Sequence, residues 1–190
     1  MASKKSTTNK MIYQLKITLK YLRPPIWRRV LVESDLTLQQ LHFIVQAAMG
    51  WDDYHLHSWT IGGVEYGEPH GEYDSDVRDE KNVKLSKVVG SREKTKFSYT
   101  YDFGDSWQHD ILVEKILPAT AEMQYPVCLA GKRACPPEDC GGVWGYAELL
   151  EIINDPENPE YEERMEWLEE GFDPSEFNLK EINLRLHRLC

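Results

Sequence analysis

Between Met11 and Tyr21 every second residue is apolar: Tyr13, Leu15, Ile17 and Leu19 alternate with Gln14, Lys16, Thr18 and Lys20. A period of two sends successive side chains to opposite faces, so this segment predicts a half-buried strand. Arg23-Pro24-Pro25 interrupts it, because proline has no N–H for a ladder, and Ile26 to Glu33 predicts a second strand antiparallel to the first. Leu38, Leu41, Ile44, Val45 and Ala48 then recur at helical spacing. They predict a helix from Leu38 to Met49, capped by Asp35 or Thr37 and ended by Gly50. His55–Ile61 and Val64–Tyr66 flank Gly62-Gly63, a pair suited to the positive φ angles of a tight hairpin turn. Gly67 to Asn82 is polar and predicts a long surface loop, and Leu85–Val89 one helical turn. In a further hairpin, Phe97, Tyr99, Tyr101 and Phe103 share one face before Gly104-Asp105, and Trp107, His109, Ile111 and Val113 share one after it.

Leu117 to Gly142 holds four prolines and three cysteines and predicts a connector without regular structure. Three helices are expected to close the chain, over about Gly145–Asn154, Pro159–Glu169 and Asn178–Leu189, with breaks at Asp155-Pro156 and Gly171 to Pro174. Their apolar stripes are Leu149, Ile152 and Ile153, then Met165, Trp167 and Leu168, then Leu179, Ile182 and Leu186. All three are expected to pack on the sheet. The predicted class is α+β: an antiparallel sheet built from successive β-hairpins, packed by one early helix and three C-terminal helices. Residues 1–10 are polar and basic and predict a flexible tail, leaving 11–190 as a single domain.

Composition sharpens this picture at one point. The net charge of the 190 residues is −10, and residues 138–190 alone hold fifteen Asp and Glu against four Lys and Arg. Phosphate is repelled by that C-terminal segment, so any nucleic-acid footprint is expected in the first two thirds of the chain. No apolar run reaches the roughly 18 residues of a membrane span. The expected compartment is the cytoplasm, with Cys128, Cys135, Cys140 and Cys190 as reduced thiols.

The most chemical-looking residues are His55, His57, Asp102, Asp105 and His109. His55 and His57, two apart on the predicted strand, would share a face and suit a divalent metal. Asp102 and Asp105 lie in a tight turn, where carboxylates serve as ligands, as a general base, or as acceptors for local N–H groups. Cys128, Cys135 and Cys140 are spaced too widely for a complete zinc knuckle, and no cofactor is predicted. His70-Gly-Glu72 lacks the close cysteine pair of a zinc deaminase, and Arg78 spoils Asp74-Ser-Asp76 as a calcium loop. Arg28 and Arg29 would point to opposite faces of their strand, one of them expected to pair with the acidic C-terminal helices. Trp51 and Trp107 flank the histidine segments, while Glu138 and Asp139 lie in a loop stiffened by Pro136-Pro137 and loosened by Gly141-Gly142.

Several segments together resemble the plasmid pRiA4b ORF-3-like family: Pro24-Pro-Ile-Trp-Arg-Arg29; Leu41-His42, Ala48-Met-Gly-Trp51 and His55-Leu-His57; Tyr101-Asp-Phe-Gly-Asp-Ser-Trp107-Gln-His109; Tyr125-Pro126; Ala134-Cys-Pro-Pro-Glu-Asp139 with Gly141-Gly142; and Phe172-Asp-Pro174. The resemblance implies a compact α+β domain, sometimes carried near mobile genetic elements, of largely unknown function. The sequence therefore points to a non-catalytic binding or interaction domain. Its expected surface is Trp51, His55, His57, Asp102, Asp105, Trp107, His109, Glu138 and Asp139, for a protein, peptide or nucleic-acid partner away from membranes. The alternative is a metal-dependent hydrolase or nuclease using the His/Asp cluster.

Overall fold

The computed structural model describes residues 10–69, 76–168 and 171–189, so residues 1–9 of the expected tail and the motif residues His70, Glu72 and Asp74 lie outside the described residues. The alternating segments form β1 (Met11–Leu19) and β2 (Trp27–Glu33), which pair antiparallel with Thr18 opposite Trp27. Helix α1 spans Leu38–Met49. Thr37 is its N-cap, in a reciprocal capping box with Gln40, and Gly50 leaves the helix at φ 107°, a left-handed value that glycine adopts without strain. The second hairpin is β3 (His57–Ile61) and β4 (Val64–Gly67), turning through Gly62 and Gly63 at φ 59° and 80°. Next come β5 (Arg78–Asp79), the short helix α2 (Leu85–Val89), β6 (Lys96–Tyr101) and the long β7 (Trp107–Pro118). The chain closes with β8 (Val127–Lys132), α3 (Gly142–Ile153), α4 (Tyr161–Trp167) and α5 (Leu179–His187).

The strands form one sheet in the order β5-β4-β3-β6-β7-β1-β2-β8, antiparallel throughout except where β5 joins β4 in parallel. With the five helices, this is an α+β fold. Its register fixes where the loops emerge. Leu19 pairs with His109, Tyr101 with both Trp107 and His57, and Trp27 with Lys132. The β1–β2 turn, the β6–β7 turn, the segment entering β3 and the segment leaving β8 therefore sit at one end of the sheet. Trp59, Tyr99, Tyr101, Trp107 and His109 are buried there, with the inner face of α1 packed into the same core.

Four expectations need correction. The Leu117–Gly142 segment is not wholly irregular: Val127–Lys132 pairs with β2 as an edge strand, its pattern blurred by Gly131 and by a register shift at Arg29/Val30. The Gly67–Asn82 loop contains β5 and ends in Glu80, which is only 1% exposed. Helix α4 buries none of its residues, so Met165 and Trp167 remain exposed, and of that stripe only Leu168, just past its end, is covered. Arg29 pairs with Glu114 of β7 and not with the C-terminal helices. Arg28, buried, spends its guanidinium on the carbonyls of Ala48, Trp27 and Lys132. Both arginines are drawn to the nearest acceptors across the sheet and on α1.

Candidate functional site

At the loop end of the sheet three segments interlock. Trp51 Nε1 donates to the Pro136 carbonyl at 3.0 Å, and the Asp52 N–H and Tyr101 hydroxyl both donate to Glu138 Oε1, at 3.1 and 3.0 Å. Asp105 Oδ2 accepts from the Gly141 N–H. Burial, ahead of the pull of Tyr101 and His55, pushes the Glu138 carboxyl above its ordinary range, and burial with the facing Glu138 raises the Tyr101 phenol. Asp102 and Asp139 both hold φ near 55°, a left-handed conformation that Asp tolerates better than most residues.

Asp102 is 6% exposed, and its Oδ1 accepts from the N–H groups of Gly104 and Asp105. That anchors one oxygen and turns the other toward His55. His55 Nε2 lies 3.8 Å from Asp102 Oδ2 and 2.9 Å from Asp139 Oδ1, although the second approach lies outside hydrogen-bond geometry. One imidazole nitrogen and two carboxylate oxygens within 4.8 Å of one another make a donor set that a divalent cation can share.

His57 is elsewhere. His55 precedes β3 instead of lying on it, so the two histidines do not share a strand face. His57 stacks on His42 of α1, with ring centroids 3.5 Å apart and planes within 7°. Its Nε2 meets both oxygens of Glu80 at 3.1 Å, and Trp59 Nε1 donates to the same carboxylate at 2.8 Å. His42 is held neutral: burial above all, then the neighbouring His57, depresses its pKa from 6.5 to about 3. The neutral ring has one consistent tautomer. Gln46 donates to the Tyr99 hydroxyl, Tyr99 donates to His42 Nδ1 at 2.7 Å, and Nε2–H donates to Asp53 at 2.8 Å.

His42, Asp53 and His57 also bring donor atoms within 4.8 Å of one another. A cation bound by both rings would nevertheless lie at least about 1.75 Å, half of the 3.5 Å stacking distance, out of one ring plane. With a metal–nitrogen bond of about 2.1 Å, that is too far from the in-plane lone pair. This group is a polar network and not a metal centre as arranged.

His109 is fully buried between Tyr99, Trp107 and an edge-on Trp51, and burial lowers its pKa to about 4. The five residues expected to converge are therefore divided: His55 and Asp102 meet each other, Asp105 bonds the Gly141 N–H, His57 joins the His42 network, and His109 is core. The thiols of Cys128, Cys135 and Cys140 are free, and burial raises the pKa of each, Cys140 to about 12. Asp53 and Glu80 carried no sequence signal, and His42 stood out only as a histidine among the apolar positions of α1 and as part of the Leu41-His42 family segment.

Beside the rim runs an open groove of about 740 Å³. Its walls are mainly apolar and come from the β1–β2 turn (Tyr21, Arg23, Pro24), the β6–β7 turn and the start of α3, where Trp144 is 88% exposed.

A family model described as plasmid pRiA4b ORF-3-like protein matches residues 11–181. The uncharacterized protein y4hQ of Sinorhizobium fredii is 36% identical over 173 residues, spanning 90% of this chain and 89% of that one. The crystal structure of the protein of unknown function MM3350 from Methanosarcina mazei Go1 superimposes with a TM-score of 0.83 at 42% identity, covering 92% of this chain and 98% of that one. Among the described residues, no helix is long and apolar enough to cross a membrane.

Proposed function

The chain belongs to the plasmid pRiA4b ORF-3-like family, and from that premise we propose that it is a non-catalytic binding domain of the cytoplasm. Its working face is the rim made by residues 51–57, 102–109 and 136–142. The observation that carries this reading is the interlocking of three loops distant in sequence, by Trp51 on Pro136, Tyr101 on Glu138 and Asp105 on Gly141, next to an open groove. Loops held rigidly at the end of a sheet suit recognition, because little ordering entropy remains to be lost on binding. The partner is a protein, a peptide or a nucleic acid, with family context adding a link to mobile elements. The acidic C-terminal helices disfavour nucleic acid. The test is retention of partners from host extract by the wild-type chain and by Asp139→Asn, which removes an exposed charge while keeping a side chain that tolerates the left-handed backbone. A partner kept by the first and lost by the second supports the reading. Equal retention, or no saturable binding at all, sinks it.

One observation favours a second reading, a metal-dependent hydrolase or nuclease. Asp102 has one oxygen anchored by backbone N–H groups and the other turned to His55 beside Asp139, as outer-shell bonds orient a metal ligand. A divalent cation there would acidify a bound water. Elemental analysis after metal-rich growth decides it: stoichiometric metal, lost in a folded His55→Ala variant, supports this reading, and metal-free protein removes it.

A further inference from the structure

Each of the three rim loops brings one donor atom to a single point. His55 comes from the segment entering β3, Asp102 from the turn after β6 and Asp139 from the loop leaving β8, and their donor atoms lie within 4.8 Å of one another. His55 Nε2 and Asp139 Oδ1 are 2.9 Å apart, yet the contact fails as a hydrogen bond and leaves the buried nitrogen without a partner. Two ligands at right angles on one cation, each bound at about 2.1 Å, stand about 3.0 Å apart, with the oxygen about 45° off the axis of the ring nitrogen. An oxygen so placed is too oblique for a hydrogen bond and well placed to share a cation. The 3.8 Å between Nε2 and Asp102 Oδ2 corresponds, at the same bond length, to about 130° at the cation, an angle open to an ion with no d-electron preference.

Two further observations are independent of this triangle. Asp102 is 6% exposed; its Oδ1 is held by the N–H groups of Gly104 and Asp105, while its Oδ2, turned to His55, accepts no hydrogen bond among the described residues. Glu138, next to Asp139 in the chain, likewise has a buried Oε2 without a partner. The other observation is charge. Among the described residues no lysine or arginine pairs with Asp102, Glu138 or Asp139, so three carboxylates meet at the loop junction without a cationic side chain in an ion pair.

We infer that an exchangeable divalent cation, Zn²⁺ or Mn²⁺, binds between His55 Nε2, Asp102 Oδ2 and Asp139 Oδ1 as a structural clasp that ties the three rim loops into one surface and makes partner recognition metal-dependent. An imidazole with carboxylates suits these two ions. The cation acts as a cross-link and not as a reagent, because its ligands come one from each loop. The inference rests on the binding-domain reading and names a regulator for that rim.

The experiment strips the full chain with EDTA and titrates it with Zn²⁺ and with Mn²⁺, following heat, thermal unfolding and backbone hydrogen exchange. One saturable site is expected for at least one ion, with a melting temperature raised by about 5 °C or more at a hundredfold excess over the dissociation constant. Exchange should slow together in residues 51–57, 102–109 and 136–142. His55→Ala and Asp139→Asn alter side chains that are 30% and 67% exposed, so both variants should fold, and each should weaken the ion by at least about tenfold. His42→Gln, in the stacked pair, should bind the ion like wild type. No saturable binding of either ion, undiminished binding by His55→Ala and Asp139→Asn, loss of binding in a folded His42→Gln, or slowed exchange confined to one loop would each overturn the inference. A partner retained equally with EDTA and with the ion overturns the clasp and leaves the rim reading standing. A bound ion that slows all three loops in a chain that captures no partner discards the rim reading and keeps the clasp.

Discussion

Acid should destabilise this protein through a histidine buried in the core beneath the rim. His109 is fully buried among Tyr99, Trp107 and Trp51, its Nε2 has no hydrogen-bond partner, and its pKa falls from 6.5 to about 4. The folded state thus keeps the ring neutral where the unfolded chain already binds a proton. Between pH 6.5 and about 4 the unfolded state holds more protons, so stability falls as pH falls and the loss levels off below the folded pKa. Moving from pH 7 to pH 5 costs about 2 kcal/mol through this one residue, and about 3 kcal/mol at the acid limit. With a urea slope of about 2 kcal/mol per molar, the midpoint should drop by about 1 M between those pH values because of His109 alone. The assay is urea unfolding at pH 7 and pH 5 for the wild type and for His109→Leu, which keeps an apolar group of moderate size and removes the proton site. The variant should lose about 2 kcal/mol less than the wild type over that interval, whatever its stability at pH 7. An identical pH-induced loss in the two proteins would show that His109 is protonated in the folded state or reached by water, and would refute the reasoning.

His42, lowered to about 3 by burial and the facing His57, acts in the same direction, so His42→Gln should also flatten the pH dependence of the unfolding midpoint. Glu80→Ala leaves the His57 and Trp59 donors without their shared carboxylate in a buried site, at a cost of about 3 kcal/mol; a melting temperature within a degree of wild type would contradict the network. Gly145→Ala places a Cβ against the Cys140 carbonyl, so calorimetry should register a loss of about 2 kcal/mol or more; unchanged stability would mean that the rim loop gives way freely. The Cys140 thiol, pushed up to about 12 by burial, should react with an aromatic disulfide reagent at pH 8 far more slowly in the folded chain than in urea.

Local pattern carried much of this architecture. Two-residue alternation marks β1, β2, β6 and β7, the i, i+3, i+4 recurrence marks α1, and Gly50 and Gly62-Gly63 sit where the chain needs positive φ. These features are legible because they depend on residues a few positions apart. The segments Trp51–His57, Asp102–His109 and Pro136–Gly142 were also legible as polar motifs at turns, but their meeting is a property of the strand order, with β7 between β6 and β1 and the β8 edge strand leaving beside the β1–β2 turn. Pairing over such distances decided that His55 meets Asp139 while His57 faces His42, that the polar stretch before Asn82 buries Glu80 under Trp59, and that Arg23, Trp144 and Tyr146 line one groove. A hydrophobic period tells a residue which face of its own element it occupies. It holds no information about which side chain, tens of residues away, the sheet will set against that face, and burial of a charge follows from that choice alone.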